Sequence, residues 1–70
     1  MSDITIHQTG PNWSIDHKAW RYEFIVEHFG RSFSVPVLVS DQCPEKDRDR
    51  DAINGFRDWT AKVAEEAAKL

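Results

Sequence analysis

Several features that would identify a function are scarce or missing in this sequence. Cysteine occurs once, at Cys43, so no disulfide can form within the chain, and a reducing compartment is the expected location. No apolar run approaches the roughly 18 residues that a membrane-spanning helix needs. The first residues show neither the basic segment nor the apolar segment of a secretory signal. We therefore expect a cytoplasmic protein that does not enter a membrane.

Positive charge is also in short supply. Nine Lys and Arg residues stand against twelve Asp and Glu residues, which gives a formal net charge of −3. Because binding along a phosphate backbone needs a strong basic field, the composition argues against nucleic acid as the main partner. The basic residues left for such a role are Lys18, Arg21 and Arg31. A weak single-stranded nucleic-acid-binding protein is the alternative functional class that they allow.

The residue groupings that catalysis or metal binding requires are missing as well. The three glycines are isolated, so none belongs to a phosphate-binding loop, and no serine lies in a glycine-flanked turn. Asp47, Asp49 and Asp51 resemble the start of a calcium loop, but Ala52 stands where that loop needs glycine. The histidines and Cys43 lack the spacing of a structural zinc site. We expect no enzyme, no cofactor and no metal.

Cys43 precedes Pro44 at the expected start of a helix, a position that can lower the pKa of a thiol. Four acidic residues follow within the next eight positions and oppose formation of the thiolate. The sequence therefore predicts an unreactive small residue at a strand-to-helix junction.

The sequence does contain the pattern of a β-hairpin. The chain is long enough for a single domain, residues 1–70. Two runs alternate apolar and polar residues on either side of Gly30, with the period of two that is typical of strands. The apolar positions of these runs are Trp20, Tyr22, Phe24, Val26, Phe33, Val35, Val37 and Val39. They predict a hairpin with one apolar face.

We place the hairpin turn at Gly30 and Arg31, because glycine adopts the positive φ of a tight turn at little cost. This turn pairs Val26 with Val35, Phe24 with Val37 and Tyr22 with Val39. A turn at Phe29 and Gly30 keeps the same faces together but requires a positive φ from Phe29, so we favour the first choice.

A shorter strand pattern precedes the hairpin. Ile4 and Ile6 are two positions apart and predict a first strand within residues 1–8, facing the core, and residues 10–16 are rich in turn formers and predict a surface loop. Pro36 lacks an N–H, which places the third strand at an edge of the sheet. The simplest topology is a meander with the second strand, residues 18–28, in the centre.

From Asp51 onward the period becomes helical. The apolar stripe consists of Ala52, Ile53, Phe56, Trp59, Thr60, Val63, Ala67 and Leu70. Asn54 and Gly55 commonly end a helix, but the stripe continues through them, so we favour one helix with a close approach at Gly55 over two helices broken at Asn54. The predicted fold class is α+β, a three-stranded antiparallel β-meander with one C-terminal α-helix packed on one face (β-β-β-α).

The outer face of the predicted sheet offers the candidate binding surface. Ile25 and Leu38 lie on this face, Phe29 lies at the hairpin end, and Arg21 and Trp13 border them. An apolar cluster with a charged border is typical of a protein-binding patch, and the edge of the third strand offers a second mode, strand addition. The sequence thus predicts a small non-enzymatic protein-interaction module that binds a protein partner or forms a homodimer.

Overall fold

The computed structural model describes residues 3–70, which form one sheet followed by a helix. The elements are β1 (Ile4–Ser14), β2 (Ala19–His28), β3 (Arg31–Ser40), a short 3-10 helix (Glu45–Asp47) and α1 (Arg48–Ala67). The strands are antiparallel in the order β1-β2-β3, and α1 packs on one face. The predicted β-β-β-α meander of the α+β class is therefore confirmed. The first two positions of the predicted first strand lie outside the described residues.

β1 is longer than the sequence predicts. The expected surface loop at 10–16 is mostly strand, and Trp13 pairs with Trp20 beyond a register shift at Gly10 and Pro11. Gly10 has a φ of +102°, and a Cβ there would lie 2.8 Å from a carbonyl oxygen of β2. The turn-forming residues therefore make a bulge, which bends the strand without ending the pairing.

The turn between β2 and β3 lies one residue earlier than predicted. Phe29 and Gly30 form the two-residue loop between the paired His28 and Arg31, with φ angles of +48° and +76°. Two successive positive φ angles are typical of the type I′ turn, whose twist matches that of the strands. The pairs on the apolar face are Trp20 with Val39, Tyr22 with Val37, Phe24 with Val35 and Val26 with Phe33. The predicted cross-strand pairs were wrong by two residues, whereas the assignment of side chains to the two faces is confirmed.

β3 is an edge strand, as Pro36 predicts. Residues that flank a two-residue hairpin loop exchange hydrogen bonds, and the pattern alternates along the ladder. Pro36 faces Glu23 five positions after the first bonded pair, at a position where the ladder makes no bond. The N–H that proline lacks would therefore point to the free edge.

The core lies between α1 and the β2–β3 half of the sheet. Its buried members are Tyr22, Phe24, Val35, Val39, Ala52 and Phe56. The rings of Phe24 and Phe56 stack with their centroids 4.5 Å apart. α1 continues through Asn54 and Gly55, and a Cβ on Gly55 would lie 3.0 Å from Val37 Cγ1. The prediction of one helix with a close approach at Gly55 is therefore confirmed. A larger side chain at this position would press against Val37 of β3.

Polar contacts fix the first turn of α1 above β2. Tyr22 is only 1% exposed and donates its hydroxyl to Asp49 Oδ1 at 2.8 Å. Burial first, and then the Asp49 carboxylate, raise the pKa of Tyr22 to about 12. The guanidinium carbon of Arg48 lies 4.5 Å from the centre of the Trp20 ring, a distance typical of cation–π contact.

None of the helical segments within residues 3–70 combines the length and the apolar character that crossing a bilayer requires.

Candidate protein-interaction surface

The second half of α1 carries its apolar stripe uncovered. Ala52 and Phe56 are 0% and 7% exposed, but Trp59 and Val63 are 47% and 44% exposed. At 100° per residue all four fall within an arc of about 60°, so they belong to one stripe. A shallow groove along the exposed part is lined by Trp59, Lys62, Val63, Glu66, Ala67 and Leu70, with no residue of the sheet. The predicted stripe is therefore not buried from Trp59 onward, because a period fixes the direction of a stripe and not the extent of sheet beneath it.

The β1 half of the sheet is uncovered on the same side. Ile6 pairs with Val26, so Ile4 and Ile6 lie on the face that carries α1. They are nevertheless 49% and 52% exposed, and Phe33 near the hairpin end is 56% exposed. We call the large, half-exposed apolar residues Ile4, Ile6, Phe33, Trp59 and Val63 the open face.

The width of a single helix explains this exposure. A helix is about 10 Å across and strands lie about 4.8 Å apart, so one helix covers roughly two strands. α1 packs mainly against β3 and buries β2 residues such as Phe24, which leaves β1 without a cover. The sequence patterns mark every residue of the open face as apolar, but they predict that all of them face the core. Three apolar strands beneath one helix are the signal that points to an uncovered strip.

The predicted outer surface is present but divided. Arg21 and Leu38 are direct partners on the outer face, and Ile25 lies on the same face four positions along β2. That separation is about 13 Å along the strands. Glu23 and Pro36 occupy the pair between them, and Glu23 forms an ion pair with Arg21 at 3.2 Å. The structure therefore places Arg21 beside Leu38 but does not join Ile25 and Leu38 into one apolar cluster.

Trp13 and Phe29 lie at the borders of this outer surface. Trp13 pairs with Trp20 on the side that carries α1, and the two rings meet edge to face with centroids 5.1 Å apart. Trp13 also lines a shallow groove together with Arg21 and Glu23, so its role at the border of the outer surface stays a prediction. Phe29 is in the hairpin turn, where its exposed ring lies 4.3 Å from that of His28.

Three aspartates around the start of α1 each have a separate partner. The partners are Arg50 for Asp47, Tyr22 for Asp49 and Cys43 for Asp51. The thiol of Cys43 donates to Asp51 Oδ2 at 3.1 Å, and this bond, with burial, raises the pKa of Cys43. A protonated thiol is a poor nucleophile. Within residues 3–70, His, Cys, Asp and Glu side chains form no group of three able to hold a metal ion.

The basic residues named for nucleic-acid binding are dispersed. Lys18 precedes β2, Arg21 is paired with Glu23, and Arg31 begins β3 at the opposite end of the hairpin. Arg31 faces His28, seven positions from Arg21, which corresponds to about 23 Å along the strand. These three side chains do not form one basic strip.

Comparison of the chain with protein-family models, with curated proteins and with solved structures finds no significant match in any of the three. Functional inference therefore depends on the geometry of the chain itself.

Proposed function

We propose that this chain is a small, non-enzymatic protein-interaction module that binds its partner through the open face. One observation carries the proposal: five large apolar side chains, each 44–56% exposed, lie on the side of the fold where the core is formed. Exposed apolar side chains grouped on one side of a small protein are typical of an interaction site. The free thiol of Cys43 supports a cytoplasmic setting.

The composition of the open face suits a protein partner. Interface centres are enriched in aromatic side chains and depleted in charge, and Phe33 and Trp59 supply two aromatic anchors. Burial of a half-exposed side chain of this size contributes about 1 kcal/mol, so a partner that covers several of them gains enough for specific binding.

The outer sheet face and the β3 edge are weaker candidates for the same function. Ile25 and Leu38 are separated by the Glu23–Pro36 pair, and Pro36 interrupts the donors that strand addition would use. The alternative function, weak binding of single-stranded nucleic acid, gains no support from the geometry, because Lys18 and Arg31 lie at opposite ends of the hairpin.

Site-specific photo-crosslinking in cells that express the full chain tests the proposal. A benzophenone amino acid at Val63 reports on the open face, and the matched position Ala61 lies about 160° away on the same helix. A third position, Leu38, reports on the outer face. We expect a discrete crosslinked product from Val63 and none from Ala61 or Leu38.

Two results would contradict the proposal. A product from Leu38 without one from Val63 would move the interface to the outer face. The absence of a product at all three positions would argue against a protein-interaction module.

A further inference from the structure

We propose that the partner of the open face is a second copy of this chain, with the exposed halves of the two α1 helices packed antiparallel about a two-fold axis at the level of Ala64. This inference rests on the proposed function and names its partner. In such a dimer the second helix lies beside the first on the same face of the sheet, over the uncovered β1.

Charge along the groove favours a second copy in this orientation. Lys62 and Glu66 line the same groove and are four residues apart, which is one helical turn. In an antiparallel pair centred on Ala64, Lys62 of each chain faces Glu66 of the other, which gives two opposite-charge contacts. In a parallel pair about a two-fold axis, the flank that carries Lys62 and Glu66 would face the opposite flank of the second helix, so these opposite-charge contacts would be lost. Flanking charges of this kind set the orientation of paired helices.

Side-chain size is complementary in the same register. At 1.5 Å per residue, Trp59 lies at a level between Ala67 and Leu70 of the second copy, and the two Val63 side chains meet near the axis. The large indole therefore fits between a small and a large apolar residue, and both stripes consist of residues that line the exposed groove.

The available area is close to what a stable dimer needs. A half-exposed large side chain offers about 100 Å². The residues within reach of a second helix over β1 therefore offer on the order of 500 Å² per chain; they are Ile4, Ile6, Trp59, Val63 and Leu70. Stable interfaces bury about 800 Å² per partner, part of which comes from the polar rim. Lys62 and Glu66 supply such a rim.

The oligomeric state of the full chain tests the inference first. By sedimentation velocity over a concentration series, we expect the wild type to be dimeric at micromolar concentration. Val63→Glu places a charge in the contact and is expected to raise the dimer dissociation constant at least tenfold. Ala61→Glu adds the same charge on the far side of α1 and is expected to leave the dissociation constant unchanged.

Charge exchange then tests the orientation. Lys62→Glu and Glu66→Lys each create like-charge contacts in the antiparallel pair, so each variant alone is expected to dimerise more weakly at low salt. A mixture of the two variants restores opposite charges and is expected to form a heterodimer. Glu66→Lys also removes the ion pair with Lys69 at 3.2 Å within α1. Circular dichroism therefore serves as the control that the variants have equal helix content. Single variants that dimerise as well as the wild type would overturn the antiparallel arrangement.

The failure of this inference is distinguishable from the failure of the proposed function. A wild-type chain that stays monomeric at millimolar concentration overturns the second copy as partner. If Val63 then crosslinks to a different protein, the interaction module stands with another partner. If Val63 crosslinks to nothing, both proposals are wrong.

Discussion

At the scale of single residues, Tyr22 connects the two layers of the fold. Its ring lies in the core beneath α1, and its hydroxyl reaches Asp49 in the first turn of that helix. The alternation of β2 predicts the buried ring. The partner could not be predicted, because the two residues are 27 positions apart and Asp49 sits in a run of charged residues that is typical of a solvent-exposed helix start.

Replacement of this hydroxyl tests the connection. We expect Tyr22→Phe to lower the free energy of unfolding by about 1 kcal/mol at pH 7, since the part-buried Asp49 carboxylate loses its donor. Urea denaturation followed by fluorescence measures the difference. An unchanged midpoint would show that water replaces the phenol without cost.

The same variant has a predicted pH dependence. In the wild type the pKa of Tyr22 is about 12, whereas an unfolded tyrosine has a pKa near 10. Between these values the unfolded state has released a proton that the folded state still holds, so the free energy of unfolding falls as pH rises from 10 to 12. We expect Tyr22→Phe to lack this part of the decrease. Equal slopes in both proteins would contradict the raised pKa.

At the scale of elements, the turn between β2 and β3 shows where local sequence rules compete. Gly30 correctly marks the turn, but the choice between two loops depended on the cost of a positive φ at Phe29. Phe29 adopts a φ of +48° despite this cost, because a type I′ loop continues the twist of the long hairpin. Similarly, Gly10 and Pro11 predict the end of β1 from the local sequence. Pairing with β2 nevertheless resumes after them, so the strand continues.

Phe29→Asn is expected to stabilise the hairpin by about 1 kcal/mol. Asparagine tolerates the left-handed conformation better than phenylalanine, and Asn-Gly is a preferred type I′ pair. Thermal and urea denaturation measure the gain. Ile15→Asn is the control, because Ile15 is an equally exposed apolar turn residue with a negative φ. A loss of stability in Phe29→Asn would show that the contact with His28 outweighs the backbone strain.

At the scale of the whole molecule, the long helix α1 packs against the sheet through the buried residues of its first half. Periodicity predicts the strands β2 and β3, the helix and the side of each that faces the core. It does not predict that Ala52 and Phe56 are the buried residues of α1 while Trp59 and Val63 remain exposed. That division depends on how far the sheet extends beneath the helix, which is a property of the assembled fold. Three apolar strands beneath one helix therefore signal an uncovered strip, but the sequence does not predict which residues form the open face.

Truncation of two neighbouring aromatic residues measures this asymmetry. We expect Phe56→Ala to reduce the free energy of unfolding by about 3 kcal/mol or more, since it leaves a cavity against Phe24. Trp59→Ala is expected to cost less than about 1 kcal/mol in dilute solution, because about half of its side chain is exposed. Chemical denaturation in the Val63→Glu background at low micromolar concentration, where association is weakened, gives both values. Equal losses would mean that α1 is anchored along its full length.

Proline occupies an inner position of both outer strands, Pro11 in β1 and Pro36 in β3. Neither residue has a backbone N–H to donate, so neither edge of the sheet offers an unbroken template for pairing with the strand of another chain. Cross-β growth requires such a template along every added strand. The two prolines therefore disfavour growth into fibrils at the edges of the sheet, although the open face leaves apolar side chains exposed.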